Sequence, residues 1–513
     1  MKENPYNFSF AMMETKNSIK IIEKKDLPLT IKGPITAGYP IYFYYLQEKE
    51  LLLLGEYPKD ILSHPFVSKP LKISPLGLTF FLQYGFIPSP FTIFENLYVL
   101  SLGDRVEIYE GERGLLLEFK HEFPYFNQKR EKNLKPDKNY LLNLIIEAIF
   151  KRWDKGSPLF LFQSLGKDSN TIALALSEAG LQEKAIFGTL ATEDRKDESK
   201  IAEKLAKKLG FRHIKLPVPE KPELKHIEIL QKYFANITLP CGDGVSLAYP
   251  LYTLTYDFSG HTILDGSGND VYFGHVPRKV EYTRQNLYTV LSLLKPLSER
   301  LPSGNPLQKL SLYRSEYPFY HLLGFTFRDC KKIYPEAERV YPIFKNWEKD
   351  RKNWDYFDLK ADLWGTHAEL SLVTQKVRNF AEAYQLNFIF PWGDEELAKY
   401  VGSLPEKYLF DRKTFKNKIL LREILKEKLD LDSDALGKFS YGFSAYNFLR
   451  GLSFYVEEEI FSCQLWEKGF LKNLWEKIKE KAKNDKFFQK LFVRLFLISA
   501  WFNHNIFLKT YSD

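Results

Sequence analysis

The sequence predicts an α/β protein: a small N-terminal α+β unit, then a doubly wound parallel sheet with a mostly helical C-terminal part. Three observations predict this class. Short apolar segments typical of buried strands alternate with amphipathic helices between residues 138 and 264. One such segment, residues 159–162, leads through a polar, Gly-containing turn into a helix. After residue 276 the strand signal fades, and helical patterns continue through Phe507.

The N-terminal unit reads as short strands separated by Pro and Gly. Residues 40–46 and 51–55 flank four polar residues and predict a β-hairpin. Residues 74–84 predict a helix with Pro75 in its first turn, and residues 97–108 return to strand character. A basic connection at residues 127–138 marks the boundary, so we expect two domains, 1–126 and 135–513.

The second unit alternates strands and helices. Asp137 is predicted to cap a helix over residues 138–153. Helices are also expected at 197–209 and 227–236, and further strands at 184–190, 213–218 and 262–264. Because ligands of such sheets bind outside the carboxyl ends of the strands, the two Gly-containing turns after residues 162 and 264 predict the site.

Composition narrows the function classes. With 44% hydrophobic and 27% charged residues, a globular protein is expected and disorder is not. The net charge of +8 comes from interspersed charges, so a small anionic substrate is as plausible as nucleic acid. Three distant cysteines indicate neither a disulfide framework nor a zinc site and favour a cytoplasmic protein. Arg494, Asn503 and His504 interrupt the apolar stretch at residues 491–508. We therefore expect a buried helix there, and we do not expect the protein to bind a membrane.

The turn SLGKDS, residues 164–169, predicts a phosphate site. Gly166 has no Cβ that would keep a ligand away from the backbone. The first amides of the following helix are unpaired donors at the positive end of its dipole, so an anion is stabilised there.

This turn resembles the SGGxDS pyrophosphate-binding loop of the PP-loop ATPases, and four later segments resemble asparagine synthetases in the same order. Residues 264–275 (LDGSGNDVYFGH) are similar to LSGEGADELFGGY, and residues 390–404 resemble the segment around VPFLD. Residues 418–423 (KILLRE) are similar to KHILRE, and residues 438–443 resemble KxGF. The sequence is therefore identified as a member of the asparagine synthetase superfamily, with a PP-loop fold implied.

Residues 77–106 resemble the closing part of the glutaminase domain in that family. Residue 2 is Lys, no cysteine precedes Cys241, and no NGEIYN-like segment occurs. Glutamine hydrolysis requires a thiolate nucleophile, so this unit is expected to be a degenerate remnant without glutaminase activity. Ammonia or an amine would then supply the nitrogen.

The resemblance implies that a carboxylate attacks the α-phosphorus of ATP, releasing pyrophosphate, and that an amine attacks the acyl-adenylate. ATP and Mg²⁺ are the implied cofactors, with Asp168 and Asp270 as metal ligands. Lys418 and Asp270 are the implied catalytic residues. The alternative for Lys418 is an ordinary solvated lysine on a helix, and the alternative for Asp270 is a helix N-cap without a catalytic role. The implied contacts to ATP and pyrophosphate come from Ser164, Gly166, Lys167, Asp168, Ser169, Asp265 and Gly266.

The residues that differ from the family motifs belong to the part of the site that serves the second half-reaction, in which the acyl group passes to its acceptor. Ser267 replaces the Glu of SGEG, Asp265 replaces the preceding Ser, and Ile389 stands where Arg is expected. We therefore expect an amide-forming ligase for a small-molecule or peptide carboxylate other than, or besides, aspartate. The alternatives are an ammonia-dependent asparagine synthetase, a PP-loop enzyme that modifies tRNA, and a non-catalytic ATP-binding homologue. A nucleic acid partner is not expected, and a homodimer is left open.

Overall fold

The N-terminal unit is a pair of four-stranded sheets. The computed structural model describes residues 7–9, 19–112, 114–191, 197–219, 221–432 and 443–509, so most of the segment 438–443 lies outside the described residues. The eight strands are β1 Asn7–Ser9, β2 Lys20–Ile22, β3 Leu29–Lys32, β4 Ile41–Leu46, β5 Leu51–Gly55, β6 Leu97–Leu100, β7 Asp104–Gly111 and β8 Gly114–His121. They pair in the orders β1-β3-β7-β8 and β2-β5-β4-β6, and buried residues of both sheets form one core.

The predicted hairpin is confirmed, since β4 and β5 pair antiparallel with Tyr42 opposite Gly55. The predicted helix is confirmed at Pro75–Tyr84, where the Ser74 hydroxyl caps the Gly77 amide at 3.1 Å. A short helix, Pro58–Leu62, follows β5.

A five-stranded parallel sheet positions the candidate site. Its strands are β9 Leu159–Phe162, β10 Ala185–Ala191, β11 Arg212–Pro217, β12 Thr262–Leu264 and β13 Asn387–Ile389, in the order β11-β10-β9-β12-β13. All four pairings are parallel, and Leu264 lies opposite both Leu161 and Ile389. The turns after β9 and β12 therefore emerge side by side at the carboxyl edge, as expected. The sequence did not predict β13, because three residues at a sheet edge carry almost no periodicity.

Helices cover the sheet and build the C-terminal part. Asp137 caps the helix Lys138–Arg152 by accepting from the amides of Asn139 and Tyr140. The helices around the sheet are Lys167–Glu178, Ser199–Lys208, Leu224–Ala235, Ala248–Leu251, Gln375–Ala383, Glu395–Ser403 and Ile419–Leu429. The remaining ones are Lys279–Leu291, Lys295–Ser298, Pro306–Leu310, Phe327–Ile333, Tyr341–Asp350, Tyr356–Leu363, Ala445–Arg450, Ser453–Ser462, Lys468–Ala482 and Lys486–His504, with a π-helix at Trp364–Thr374. A hairpin, β14 Phe410–Asp411 and β15 Lys416–Asn417, precedes residue 418.

The last long helix, Lys486–His504, is buried among neighbouring helices, which confirms the prediction for residues 491–508. No helix of the described residues has the length and apolar character needed to cross a membrane.

The N-terminal unit and the rest of the chain share one hydrophobic core. Leu78 and Phe81 of the N-terminal unit belong to the same buried cluster as Phe234 and Leu491. The Arg494 guanidinium donates to the Leu82 carbonyl at 3.0 Å. The division at residues 126 and 135 stays a prediction.

Candidate active site

The first turn is held in shape by its own side chains. The Ser164 amide donates to the Ser169 hydroxyl at 3.1 Å, and the Gly166 amide donates to the Ser164 hydroxyl at 3.0 Å. The Asn170 side-chain amide donates to the carbonyls of Ser164 and Gly166 at 3.0 and 2.9 Å. The helix Lys167–Glu178 begins after Gly166, which has no side chain to cap it. Its first-turn amides therefore point toward the cleft without a side-chain cap, as an anion site requires.

One amide of this turn is already occupied by a carboxylate. The Leu165 amide donates to Glu198 at 3.1 Å. Burial raises the pKa of Glu198, while the bond from Leu165 lowers it in part. Glu198 therefore marks the position of an oxyanion at this edge of the turn.

The second turn lies directly against the first. Asp265 is buried and accepts hydrogen bonds from the amide and the hydroxyl of Ser267. A Cβ on Gly266 would lie 2.9 Å from the Ser169 amide nitrogen, so only glycine permits this approach. The two turns form a single surface because of this contact.

Lys418 joins the two turns through a compact polar network. Its ammonium lies 2.6 Å from an oxygen of Asp168 and 2.6 Å from an oxygen of Asp270. It also donates to the Asn269 side-chain oxygen at 2.8 Å, while the Asn269 side-chain nitrogen donates to Asp168 at 2.7 Å. Lys418 is only 4% exposed, so the alternative of a solvated helix lysine is wrong. Asp270 is an ion-pair partner in this network.

The local backbone explains how Lys418 reaches the centre. Residue 418 has a φ of 54°, in the left-handed region, immediately before the helix Ile419–Leu429. A non-Gly residue adopts this conformation at a cost, and such strain is concentrated at functional sites. The strained turn directs the Lys418 side chain inward, although the chain around it lies at the surface.

The charges of this network shift its pKa values strongly. Burial alone would lower the pKa of Lys418, but the charges of Asp168 and Asp270 raise it well above its ordinary value. Burial would raise the pKa of Asp270, but the charge of Lys418 holds it well below its usual range. Burial and the nearby charge of Arg422 lower the pKa of Lys167 to about 8. The cleft therefore holds the charged Lys418 ammonium beside the ionised Asp270 carboxylate.

A cavity of about 180 Å³ lies over both turns and has two chemically different ends. The polar end contains Ser164, Gly166, Asp168, Ser169, Asp265, Gly266 and Ser267. The other end is lined by Phe162, Leu190, Tyr249 and Tyr252. An elongated ligand with an aromatic ring at one end and anionic groups at the other matches this division.

Glu369 is a buried carboxylate that the sequence did not single out. It lies in the π-helix Trp364–Thr374, is 3% exposed, and accepts the Gly268 amide at 3.0 Å. Burial and the charge of Asp270 raise its pKa to about 8. It therefore lies behind the turn in which Ser267 replaces the family Glu. The only sequence signal is that Glu369 is the one acidic residue between Asp362 and Glu382.

A second ion pair lies at the same cleft. Lys376 lines the cavity next to Ser267 and pairs with Asp243 at 3.2 Å. Asp243 also caps the turn Gly244–Leu247 by accepting the Val245 amide. Its side chain thus has a structural role, and it reaches the cavity only through Lys376, since Asp243 is not among the residues that line it.

The structure brings together all the residues that the sequence predicts for this site except Lys167, which neither lines the cavity nor pairs with Lys418 in the described residues. Of these, Ser164, Gly166, Asp168, Ser169, Asp265 and Gly266 line the cavity, while Asp168, Asp270 and Lys418 form the network. No group of three or more His, Cys, Asp or Glu side chains in the described residues has the geometry of a metal centre. The carboxylate pair Asp168 and Asp270 nevertheless has the hard oxygen donors that fit Mg²⁺, with phosphate oxygens as the remaining ligands.

A parallel sheet with two Gly-containing turns beside an uncapped helix N-terminus defines a doubly wound α/β domain, a class whose ligands bind at this edge of the sheet. The asparagine synthase family model matches residues 141–501. The chain therefore belongs to the asparagine synthase family.

One curated relative is a putative glutamine-hydrolysing asparagine synthetase of Methanocaldococcus jannaschii. It is 21% identical over 315 residues, which cover 60% of this chain and 59% of the relative. The chain thus spans about three fifths of the relative that it matches.

Proposed function

We propose that this protein is an ATP-dependent amide-forming ligase. It adenylates a carboxylate, releases pyrophosphate, and transfers the acyl group to ammonia or an amine. Membership of the asparagine synthase family supports an ATP-dependent ligase, and the particular reaction is our proposal.

The network around Lys418 carries the proposal. In the adenylation step, a carboxylate oxygen bonds to the α-phosphorus and the bond from that phosphorus to the bridging oxygen breaks, so negative charge develops on the departing pyrophosphate. A fixed cation and uncapped helix amides stabilise that charge without reorganising. Lys418 is held by Asp168 and Asp270 at 2.6 Å each, which fixes its ammonium before a substrate arrives. Lys167, next to the turn, adds positive charge.

The two ends of the cavity support ATP as the ligand. The aromatic rings of Tyr249 and Tyr252, with Phe162 and Leu190, offer a surface for an adenine ring. The triphosphate would then extend over Gly166 and Gly266 to the uncapped helix N-terminus.

Mg²⁺ would be held by Asp168 and Asp270, and when bound it would neutralise phosphate charge. In the network without an added ion, Lys418 occupies the space between these two carboxylates. The charge of Lys418 holds the pKa of Asp270 well below its usual range, so Asp270 stays ionised.

Glu369 is our candidate for the acid–base group of the second step. When an amine attacks an acyl-adenylate, it must lose a proton, and Ser267 cannot accept one as a carboxylate does. Glu369 contacts the same turn through Gly268, and its pKa of about 8 suits a base near neutral pH.

Free ammonia or an amine is the nitrogen source in this proposal. The three cysteines of the chain, Cys241, Cys330 and Cys463, are all buried. Burial raises the pKa of Cys241 and Cys463 to about 12, and that of Cys330 well above its ordinary value. A glutaminase nucleophile needs an accessible thiolate, so none of the three is suited to that role.

Exchange of labelled pyrophosphate into ATP tests the adenylation step. We expect exchange only when a suitable carboxylate from a panel, aspartate included, is present. Lys418→Met should lower this exchange by about 10³-fold, since removing a single preorganised donor commonly costs 10²–10³-fold. Asp168→Asn should lower it by a similar factor.

Lys413→Ala is the matched control, because Lys413 is an exposed lysine five residues before Lys418. It should retain full exchange. Formation of ADP in place of AMP and pyrophosphate, or exchange that survives Lys418→Met, would contradict the proposal.

A further inference from the structure

The helical segment from residue 279 to 298 presents an unusual outer face. It consists of the helix Lys279–Leu291, one tighter turn at Ser292–Leu294 and the helix Lys295–Ser298. Six large aliphatic side chains on it are exposed, among them Leu293 at 84% and Val290 at 67%. The others are Val280, Leu287, Leu294 and Leu297. A monomeric protein rarely exposes so many aliphatic side chains in one stretch.

The inner face of this segment carries charged side chains that form ion pairs and hydrogen bonds with neighbouring elements. Glu281 is buried and pairs with Lys360 at 2.8 Å, and Tyr356 donates to it at 2.9 Å. Lys295 is buried between Glu299 and Glu316. The segment thus buries Glu281 and Lys295 in ion pairs and exposes six aliphatic side chains, which is unusual for a surface helix.

The exposed positions follow the spacing of a helix-pairing seam. Val280, Thr283, Leu287, Val290, Leu294 and Leu297 are separated alternately by three and four residues. This is the a and d pattern of a two-helix interface. The positions that flank such a seam include Lys279, Arg284 and Arg300, all exposed.

The charge around the seam has a single sign. Between residues 278 and 310 the exposed charged side chains that the structure describes are Arg278, Lys279, Arg284, Arg300 and Lys309. The only acidic residues in this interval, Glu281 and Glu299, are each 4% exposed and paired inward. A second copy placed symmetrically on this face would bring like charges together, which is unfavourable.

From the apolar seam and its basic flanks, we propose that residues 279–298 dock an acidic amphipathic helix of a partner polypeptide. The partner's apolar a and d residues would cover the leucines, and its Glu or Asp residues would pair with the flanking cations. Arg278, at the start of the seam, follows Asp270 of the candidate active site by eight residues in the sequence.

Fluorescence anisotropy of a labelled three-heptad peptide tests this interface on the full-length protein. The probe carries Leu at positions a and d and Glu at positions e and g. We expect it to bind at least tenfold more tightly than the same peptide with Lys at e and g, and more weakly as salt increases. The double substitution Leu287→Asp with Leu294→Asp should reduce binding by at least tenfold.

The matched control is Leu224→Asp, which changes another exposed leucine (70%) on a helix elsewhere. It should bind the Glu peptide as the unsubstituted protein does, and circular dichroism should show that all variants remain folded.

Equal affinity for the two peptides, or equal loss in the control, would overturn the proposal. So would binding to vesicles of anionic lipid without binding to the Glu peptide, since the surface would then be a membrane contact. The pyrophosphate-exchange assay is independent of these results, so failure here leaves the proposed reaction standing.

Discussion

At the scale of single residues, the candidate site rests on Lys418. The sequence suggested this lysine only through its resemblance to a family motif, because three other lysines lie within eight residues of it. The left-handed φ at residue 418 and the paired carboxylates explain what distinguishes it. Neither feature can be derived from residue spacing, since Asp168 and Asp270 are 250 and 148 residues away in the chain.

Glu369 shows the limit of sequence reasoning at the same scale. Motif comparison located a missing carboxylate at Ser267 but could not find a replacement on a distant helix. Only the fold brings Glu369 to the Gly268 amide at 3.0 Å. A loss in one motif can thus coincide with a carboxylate supplied by another element, and this must be tested by experiment.

Glu369→Gln separates the two half-reactions. The amide keeps the size of the side chain and can still accept the Gly268 N–H, but it cannot accept a proton. We expect pyrophosphate exchange within a few-fold of the unsubstituted protein and amide formation reduced by about 10²-fold, the lower range for general base catalysis. The unsubstituted enzyme should form amide faster as pH rises through about 8, where Glu369 deprotonates, and the variant should lose this rise.

Glu382→Gln is the control for the loss of a half-buried, hydrogen-bonded glutamate. Glu382 accepts the Thr238 amide at 3.1 Å and lies outside the cavity lining. It should keep both activities and the same pH profile. Equal loss of exchange and amide formation in Glu369→Gln would assign Glu369 a structural role.

At the scale of elements, most of the parallel sheet was predictable. The strands at 159–162 and 262–264 were placed at their observed bounds, because a short apolar run between polar turns is a strong signal. Strand β13 was missed, since Asn387–Ile389 follows a long helix with no turn signal and pairs on one side only. The four helices for which the sequence predicts bounds lie within three residues of the observed ends, because caps such as Ser74 and Asp137 are local, whereas the helices of the C-terminal part have no predicted bounds.

The contact between the two turns predicts a consequence for Gly266→Ala. The added Cβ would meet the Ser169 amide nitrogen at 2.9 Å and the Asp168 Cβ at 3.3 Å, so the second turn must move away from the first. We expect about tenfold weaker ATP binding by calorimetry, because phosphate contacts depend on positions within a few tenths of an ångström.

The control for this substitution is Gly156→Ala. Gly156 has an ordinary φ and only one side-chain oxygen, 3.5 Å away, near its built Cβ. The affinity of the Gly156→Ala variant for ATP should equal that of the unsubstituted protein. If Gly266→Ala binds ATP as tightly as Gly156→Ala does, the second turn does not contribute to the phosphate site.

At the scale of the whole molecule, the N-terminal unit is joined to the rest by apolar and polar contacts. Its helix Pro75–Tyr84 packs into the core that also holds the last long helix. His121 adds a polar link, since its two ring nitrogens lie 2.8 Å from Asp104 and 2.6 Å from Asp362. Because the helix of this unit fills the common core, we expect that removing the unit would expose that core and destabilise the fold.

His121 predicts how this link depends on pH. Burial alone would lower the pKa of His121, but the charge of Asp362 and the bonds to both carboxylates raise it to about 10 from an ordinary value of 6.5. A histidine whose pKa is raised on folding stabilises the folded state fully below its unfolded pKa. That stabilisation is lost as pH rises from about 6.5 through about 10.

Urea unfolding of His121→Gln measures the effect. At pH 6 the variant should be less stable by about 3 kcal/mol, the scale for removing one partner of a buried ion pair. The difference from the unsubstituted protein should shrink steadily toward pH 10, and using the difference cancels other groups that titrate in this range. His64→Gln, in the same unit, serves as the control because His64 accepts the Phe66 amide and has no ion pair in the described residues. A difference that is independent of pH would mean that His121 stabilises the fold as a neutral ring, with packing rather than charge holding the N-terminal unit in place.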